Sequence, residues 1–186
     1  MSELERYRIS ITGTPGCGKS SLAQHAISRS KKFEVSEVIE LAEKFGCVGE
    51  IDGIDDARPI DIEKLAEQLV DGWNKKPKCT KFIDGHLSHL LPVDAIVIIR
   101  CNPETLTERN RERGWKESKI IDNEEWELLG GPWNEYEEWG ELPCLELDST
   151  AQNVESLFET IECWIRDGFK PESPEDRIDW VSVLHE

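Results

Sequence analysis

The chain has 186 residues, and its 39 acidic against 22 basic side chains give a net charge of −17, which argues against direct nucleic-acid binding because neutralising phosphates takes clustered Lys and Arg. Hydrophobic residues at 38%, charged residues at 33% and seven tryptophans describe a soluble globular protein rather than a disordered one, and the length fits one domain with a proper core. No apolar run approaches the ~20 residues that span a bilayer, and six dispersed cysteines without a CxxC pair, with only ISIT as first apolar run, predict a reduced, cytoplasmic setting with no membrane partner.

In chain order, RISIT (Arg8 to Thr12) is a β-branched run that ends at a glycine-rich turn, and Leu22, Ala23, Ala26 and Ile27 then recur at helical spacing. The stretch VIELAEKFGCVGEIDGIDDARP is acidic and punctuated by glycine, and it predicts an inserted flap in which Arg58 is the only arginine. Asp61 is placed to cap a helix whose stripe is Ile62, Leu65, Ala66, Leu69, Val70 and Trp73. KFID, ending at Asp84, and AIVIIR, ending at Arg100, read as buried strands with both sheet faces covered, and Asn102-Pro103 opens another helix.

Beyond Gly114 the run KESKIIDNEEWE and the tryptophan-rich 126–140 segment are irregular in pattern. CLELD then predicts a last strand, and residues 152–166 a closing helix with Gly168 just beyond its end. The tail from residue 169 reads as extended, with Trp180 and Val181 as its docking residues, while His25 and His185 read as surface. Strands alternating with helices imply a parallel sheet in a three-layer α/β fold.

GTPGCGKS, Gly13 to Ser20, fits the pattern glycine, any four, glycine, lysine, serine or threonine, between a strand and a helix. Its glycines let successive N–H groups converge on an anion, Lys19 reaches the β- and γ-phosphates, and the Ser20 hydroxyl holds Mg²⁺. Asp84, at a strand end, takes the Walker-B position as the magnesium-site carboxylate, and the absence of an NKxD-type motif after it weakens a GTPase reading. Arg109 and Arg113, four apart near a helix end and followed by glycine, predict a lid that clamps the transferring phosphate, with Lys116 and Lys119 as lesser candidates. His86 and His89 lie one helical turn apart, but no matching ligand pair stands at zinc spacing nearby.

Taken together, TGTPGCGKSS, IDGH, ERNRERGWKESKIIDN and the helix ending CWIRDG resemble the adenylate kinase isoenzyme 6 family, the CINAP-type adenylate kinases of archaea and eukaryotes, over roughly residues 6 to 168. That resemblance implies an adenylate-kinase-like P-loop NTPase fold with a five-stranded parallel sheet, a flap at about 36–60 and a short lid at about 112–122. It implies a kinase domain over residues 1–168 with a C-terminal appendage at 169–186. The implied activity is transfer from ATP to AMP or another nucleoside monophosphate, with ATPase activity. A part in late maturation of the small ribosomal subunit, including 16S-type rRNA processing, would run through a small-subunit ribosomal protein. Gly16, Gly18, Lys19, Ser20 and Ser21 match the family's phosphate loop, Arg113 its lid arginine for ATP, and Asp84 with His86 its D-x-H pair. Lys19, Asp84 and His86 are thus the expected catalytic residues, Ser20 and Asp84 the metal ligands. One departure stands out: Asp84-Gly85-His86-Leu87-Ser88-His89 lacks the arginine with which ordinary adenylate kinases grip the monophosphate.

Overall fold

A computed structural model describes residues 6–51 and 58–184 of the chain. Five strands, β1 (Arg8–Thr12), β2 (Phe33–Glu37), β3 (Thr80–Asp84), β4 (Ala95–Arg100) and β5 (Cys144–Asp148), form one sheet in the order β2-β3-β1-β4-β5. All four pairings are parallel, as the alternation of strands and helices predicts. Helix α1 (Lys19–Arg29) joins β1 to β2; α2 (Val38–Lys44) and α3 (Ile62–Trp73) lead to β3. Between β4 and β5 lie α4 (Pro103–Glu112), α5 (Glu117–Leu128) and the single turn α6 (Tyr136–Trp139), and α7 (Val154–Arg166) and α8 (Trp180–Leu184) follow β5.

The unbroken apolar run of β4 has its cause in the layers. Ala95, Val97 and Ile99 pack with α1, α4 and α7, whereas Ile96 and Ile98 face a second core built from Val38, Leu65, Leu69 and Trp139. Both faces are covered, so the positions from Ala95 to Ile99 are all apolar, and the one polar residue of the strand, Arg100, closes it. Helices α3, α4 and α7 start where a side chain satisfies an open amide: Asp61 accepts from the Lys64 N–H at 3.1 Å, Asn102 from Glu104 at 2.9 Å, and Asn153 from Ser156 at 2.9 Å. Helix α7 buries Leu157, Phe158, Ile161, Trp164 and Ile165, and each such side chain contributes about 1.5–3 kcal/mol.

Several expectations from the sequence are corrected. The irregular charged run is helix α5, because only its Ile120 and Glu127 turn fully inward and the exposed face carries the charge. Strand β2 and helix α2 occupy residues 33–44, a stretch that runs into the expected flap and in which the sequence pattern predicts no strand, since β2 is an edge strand with no fully buried residue and so lacks a continuous apolar run. The tail folds into one helical turn at 180–184, where Trp180 is buried and Val181 exposed. His25 is half-buried, its ring edge-on to Phe158 at 5.6 Å, and His185 and residues 52–57 of the expected flap lie outside the described residues. The rest of that flap contains an antiparallel bridge between Val48 and Ile60.

Candidate active site

The phosphate loop leaves β1 at Thr12 and enters α1 at Lys19, so strand and helix fix both of its ends. Two glycines are required by close approach. At Gly13, with φ +136°, a Cβ would stand 2.1 Å from the Ile99 carbonyl oxygen of β4, and at Gly16, with φ +102°, 2.2 Å from Asn110 Oδ1 of α4. Within this tight turn the buried Lys19 donates from Nζ to the carbonyls of Gly13 at 2.8 Å and Thr14 at 3.0 Å. The amine is thus stored on carbonyls that a phosphate would replace. Ser20 and Ser21 lie exposed at the start of α1, beyond the left-handed Gly18 that caps it. Burial pushes the Cys17 thiol up to about 11 against the pull of Lys19, so this cysteine packs as a neutral side chain.

Asp84 ends β3 next to the strand that feeds the loop, in register with Ile11 of β1 and with Glu37 of β2. It is almost wholly buried. A buried carboxylate and an exposed serine hydroxyl, on neighbouring chain segments at the same edge of the sheet, are hard oxygen donors of the kind Mg²⁺ takes while keeping several waters. The donor set fits that ion. Glu37 adds a second carboxylate at the same edge; burial, then Glu40 and Asp84, raise its pKa above the usual range.

The histidines divide. His86 is exposed, and its carbonyl accepts the Thr12 hydroxyl at 3.0 Å. Packing around the ring, then Lys19, then His89 and Lys119, lower the His86 imidazole from its ordinary value. His89, by contrast, is buried at 1% exposure, with Nδ1 at 2.8 Å from Thr12 Oγ1 and Nε2 at 2.8 Å from Glu135 Oε2. It ties β1 to the tryptophan-rich segment. Ser10 and Ser88, 2.6 Å apart and fully buried, make a parallel tie from the same strand.

The two arginines expected to form a lid also separate. Arg109 folds inward and donates to the carbonyls of Ser149 at 2.9 Å and Thr150 at 3.3 Å, clamping the loop after β5. Arg113 stays exposed, 5.8 Å from the centre of the Trp115 ring, which Lys119 also approaches at 4.4 Å. Arg58 lies against Glu43 at 2.5 Å, both half exposed.

Glu127 of α5 escaped the sequence reading, yet it is fully buried and accepts the hydroxyl of Thr14 in the phosphate loop. Its one local signal is the spacing of seven from Ile120, which puts both on the buried face of one helix. Glu37 left a fainter one, a carboxylate closing an edge strand.

A glycine loop between β1 and α1, a lysine stored within it and a strand-end aspartate beside it, on a parallel sheet, define an α/β P-loop NTPase fold. A solved structure of deoxyadenosine kinase from M. mycoides with bound dATP shares that fold, with a TM-score of 0.52 at 18% identity, over 87% of this chain and 100% of the other. The family model described as AAA domain matches residues 9–130. Proteins described as "Putative adenylate kinase" are 38% identical in Archaeoglobus fulgidus, over 96% of this chain and 94% of the relative, and 38% identical in Methanocaldococcus jannaschii, over 83% of each. The chain belongs to the family that these archaeal proteins make up, within the wider one that the AAA-domain model describes.

Proposed function

We propose that this protein is a nucleoside monophosphate kinase of the isoenzyme 6 type, transferring the γ-phosphoryl of ATP to AMP or another monophosphate, with ATPase activity. The observation that carries the reading is Lys19, held at 2.8 and 3.0 Å by two carbonyls of its own loop beside Asp84, in a chain 38% identical to named adenylate kinase relatives. A monophosphate oxygen would bond the γ-phosphorus as the bond to the β-phosphate oxygen breaks, giving two ADP from AMP; water in its place would release phosphate.

In this reading Lys19 leaves its carbonyls for the phosphates, and the loop amides of Gly16, Gly18, Ser20 and Ser21 cradle them. Ser20 and Asp84 would hold Mg²⁺, which neutralises phosphate charge as it develops. Arg113, exposed at the end of α4, closes over the γ-phosphate within the lid at about 112–122. His86, next but one to Asp84, positions the attacking group and accepts its proton, which favours water as well as a monophosphate. The flap at 36–60 covers the monophosphate, and residues 1–168 act as the kinase domain.

A second reading is favoured by the missing monophosphate arginine after Asp84 and by the net charge of −17: chiefly an ATP-hydrolysing assembly factor that binds and releases a basic small-subunit ribosomal protein during ribosome maturation in the cytoplasm. ADP formed from ATP plus AMP, measured beside phosphate released from ATP alone, each with and without such a protein, separates the two. ADP formation at well above the rate of phosphate release supports the kinase; release that rises only with the ribosomal protein supports the assembly factor. If Lys19→Ala leaves both products unchanged, neither reading stands.

A further inference from the structure

We propose that Glu127 is a positioning residue that anchors the phosphate loop through the Thr14 hydroxyl, and that the C-terminal segment, through Trp180, completes this anchor. The proposal rests on the nucleotide-kinase reading for its kinetic consequence, and on geometry for the anchor itself. Glu127 Oε2 accepts the Thr14 hydroxyl, while Oε1 accepts Arg100 Nε at 2.7 Å, Trp180 Nε1 at 2.9 Å and the Cys101 N–H at 3.1 Å. Arg100, wholly buried, spends its other nitrogens on the Glu127 carbonyl at 2.9 Å, on Glu146 Oε1 at 2.8 Å and on the Ile178 carbonyl at 3.2 Å. Glu146 in turn accepts Trp133 Nε1 at 2.7 Å and the Ile178 N–H at 2.8 Å.

Two carboxylates flank one guanidinium, and their remaining oxygen lone pairs are met by the neutral N–H groups of Cys101, Trp133, Ile178 and Trp180. Two of those four donors, Ile178 and Trp180, belong to the C-terminal segment, beyond the last strand and the closing helix. Packing α5 against the sheet needs no charge, since apolar residues of similar volume hold such a contact as well. What an apolar residue at this position cannot do is accept the Thr14 hydroxyl. Thr14 accepts Lys19 and the Cys17 N–H at its carbonyl and is held by Glu127 at its hydroxyl, the one of these ties that comes from outside the loop and α1. Once Lys19 turns to a phosphate, the Lys19 tie is gone and the Glu127 tie remains to keep the loop amides aimed.

The full-length protein with Thr14→Val, Thr14→Ser or Trp180→Phe tests this, because each change removes or keeps a single donor. Loss of one hydrogen bond to a charged group predicts a rise of about tenfold in KM for ATP in Thr14→Val, with a smaller rise in Trp180→Phe and kcat nearly kept. Amide hydrogen exchange over residues 13–20 without nucleotide should speed up in both, and Thr14→Ser, which keeps the hydroxyl, should retain wild-type protection. Unchanged exchange over the loop in Thr14→Val and Trp180→Phe, or equal exchange in Thr14→Val and Thr14→Ser, overturns the anchor. Should wild-type protein turn over no nucleotide, the kinase reading falls while the exchange measurement still decides the anchor. Should Trp180→Phe fail to fold, the pair at Thr14 decides it.

Discussion

The inner and outer sides of the phosphate loop are built by opposite rules. On the inner side Thr14, Cys17, Arg100, Asn110 and Glu127 have no solvent exposure, and their polar groups, apart from Asn110 Oδ1, meet other polar groups in fixed geometry. On the outer side Ser20, Ser21, His86 and Arg113 are exposed, and Arg113 and Lys119 lie over the Trp115 ring. Rigid contacts hold the loop from behind, and loosely held groups face the space a nucleotide would fill. Preorganisation of this kind keeps the cost of ordering out of the binding step.

The largest expected break is on the inner side. Glu127→Ala leaves the Thr14 hydroxyl without its acceptor and Arg100 with Glu146 as its one carboxylate, and removing one partner of a buried pair costs about 3–5 kcal/mol. Urea unfolding should show that loss; a loss below about 1 kcal/mol, the range of surface pairs, would mean the network is not a structural unit. Next is Lys19→Ala, with an expected fall of about 10²–10³ in kcat/KM for ATP, the range for removing one preorganised charge-stabilising donor. Its folded structure should survive, because the loop keeps the Glu127 tie. Retained turnover in that variant would remove the loop from the chemistry.

On the outer side the expected effects are kinetic. Arg113→Ala should lower kcat by about tenfold or more, as for a group that meets the phosphate only during transfer, and leave the unfolding midpoint in place. Arg111, on the same helix and paired with Glu117 in an exposed ion pair, is the control: Arg111→Ala should change neither quantity measurably. If the two variants behave alike, Arg113 is a solvated helix-end charge and the lid lies elsewhere.

This contrast also marks what the sequence made legible. Gly13 to Ser20 could be read because the loop's chemistry is local, with spacing, strand and helix in one stretch of twenty residues or so. The β4 run and the stripe of α3 could be read because burial on fixed faces leaves a period. Glu127 could not, since its partners Thr14, Arg100 and Trp180 are 113, 27 and 53 positions away. Without those partners a glutamate among KESKIIDNEEWE looks solvated. Arg109 misled for a related reason: its four-residue spacing from Arg113 is real, but the loop after β5 captures it through Ser149 and Thr150, which no helical pattern announces.

His89, which stands between the two sides, gives the smallest effect and tests how the strand end is tuned. Thr12 has one hydroxyl proton and two neighbours, the His86 carbonyl at 3.0 Å and His89 Nδ1 at 2.8 Å. A neutral ring that donates from Nε2 to Glu135 accepts that proton at Nδ1; a protonated ring donates from Nδ1 and turns the hydroxyl to the His86 carbonyl. Burial lowers the His89 pKa, and the hydrogen bond and charge of Glu135 only partly oppose it. A base with a folded pKa below its unfolded value binds fewer protons folded than unfolded, so its contribution to stability falls as pH drops below the unfolded value near 6.5. His89→Gln removes that dependence while keeping a polar side chain near Thr12 and Glu135. Urea unfolding at pH 7 and pH 5 should therefore show a larger loss of stability on acidification in wild type than in the variant. Equal losses would mean that Glu135 offsets the burial fully, and the strand end would carry no histidine-linked response.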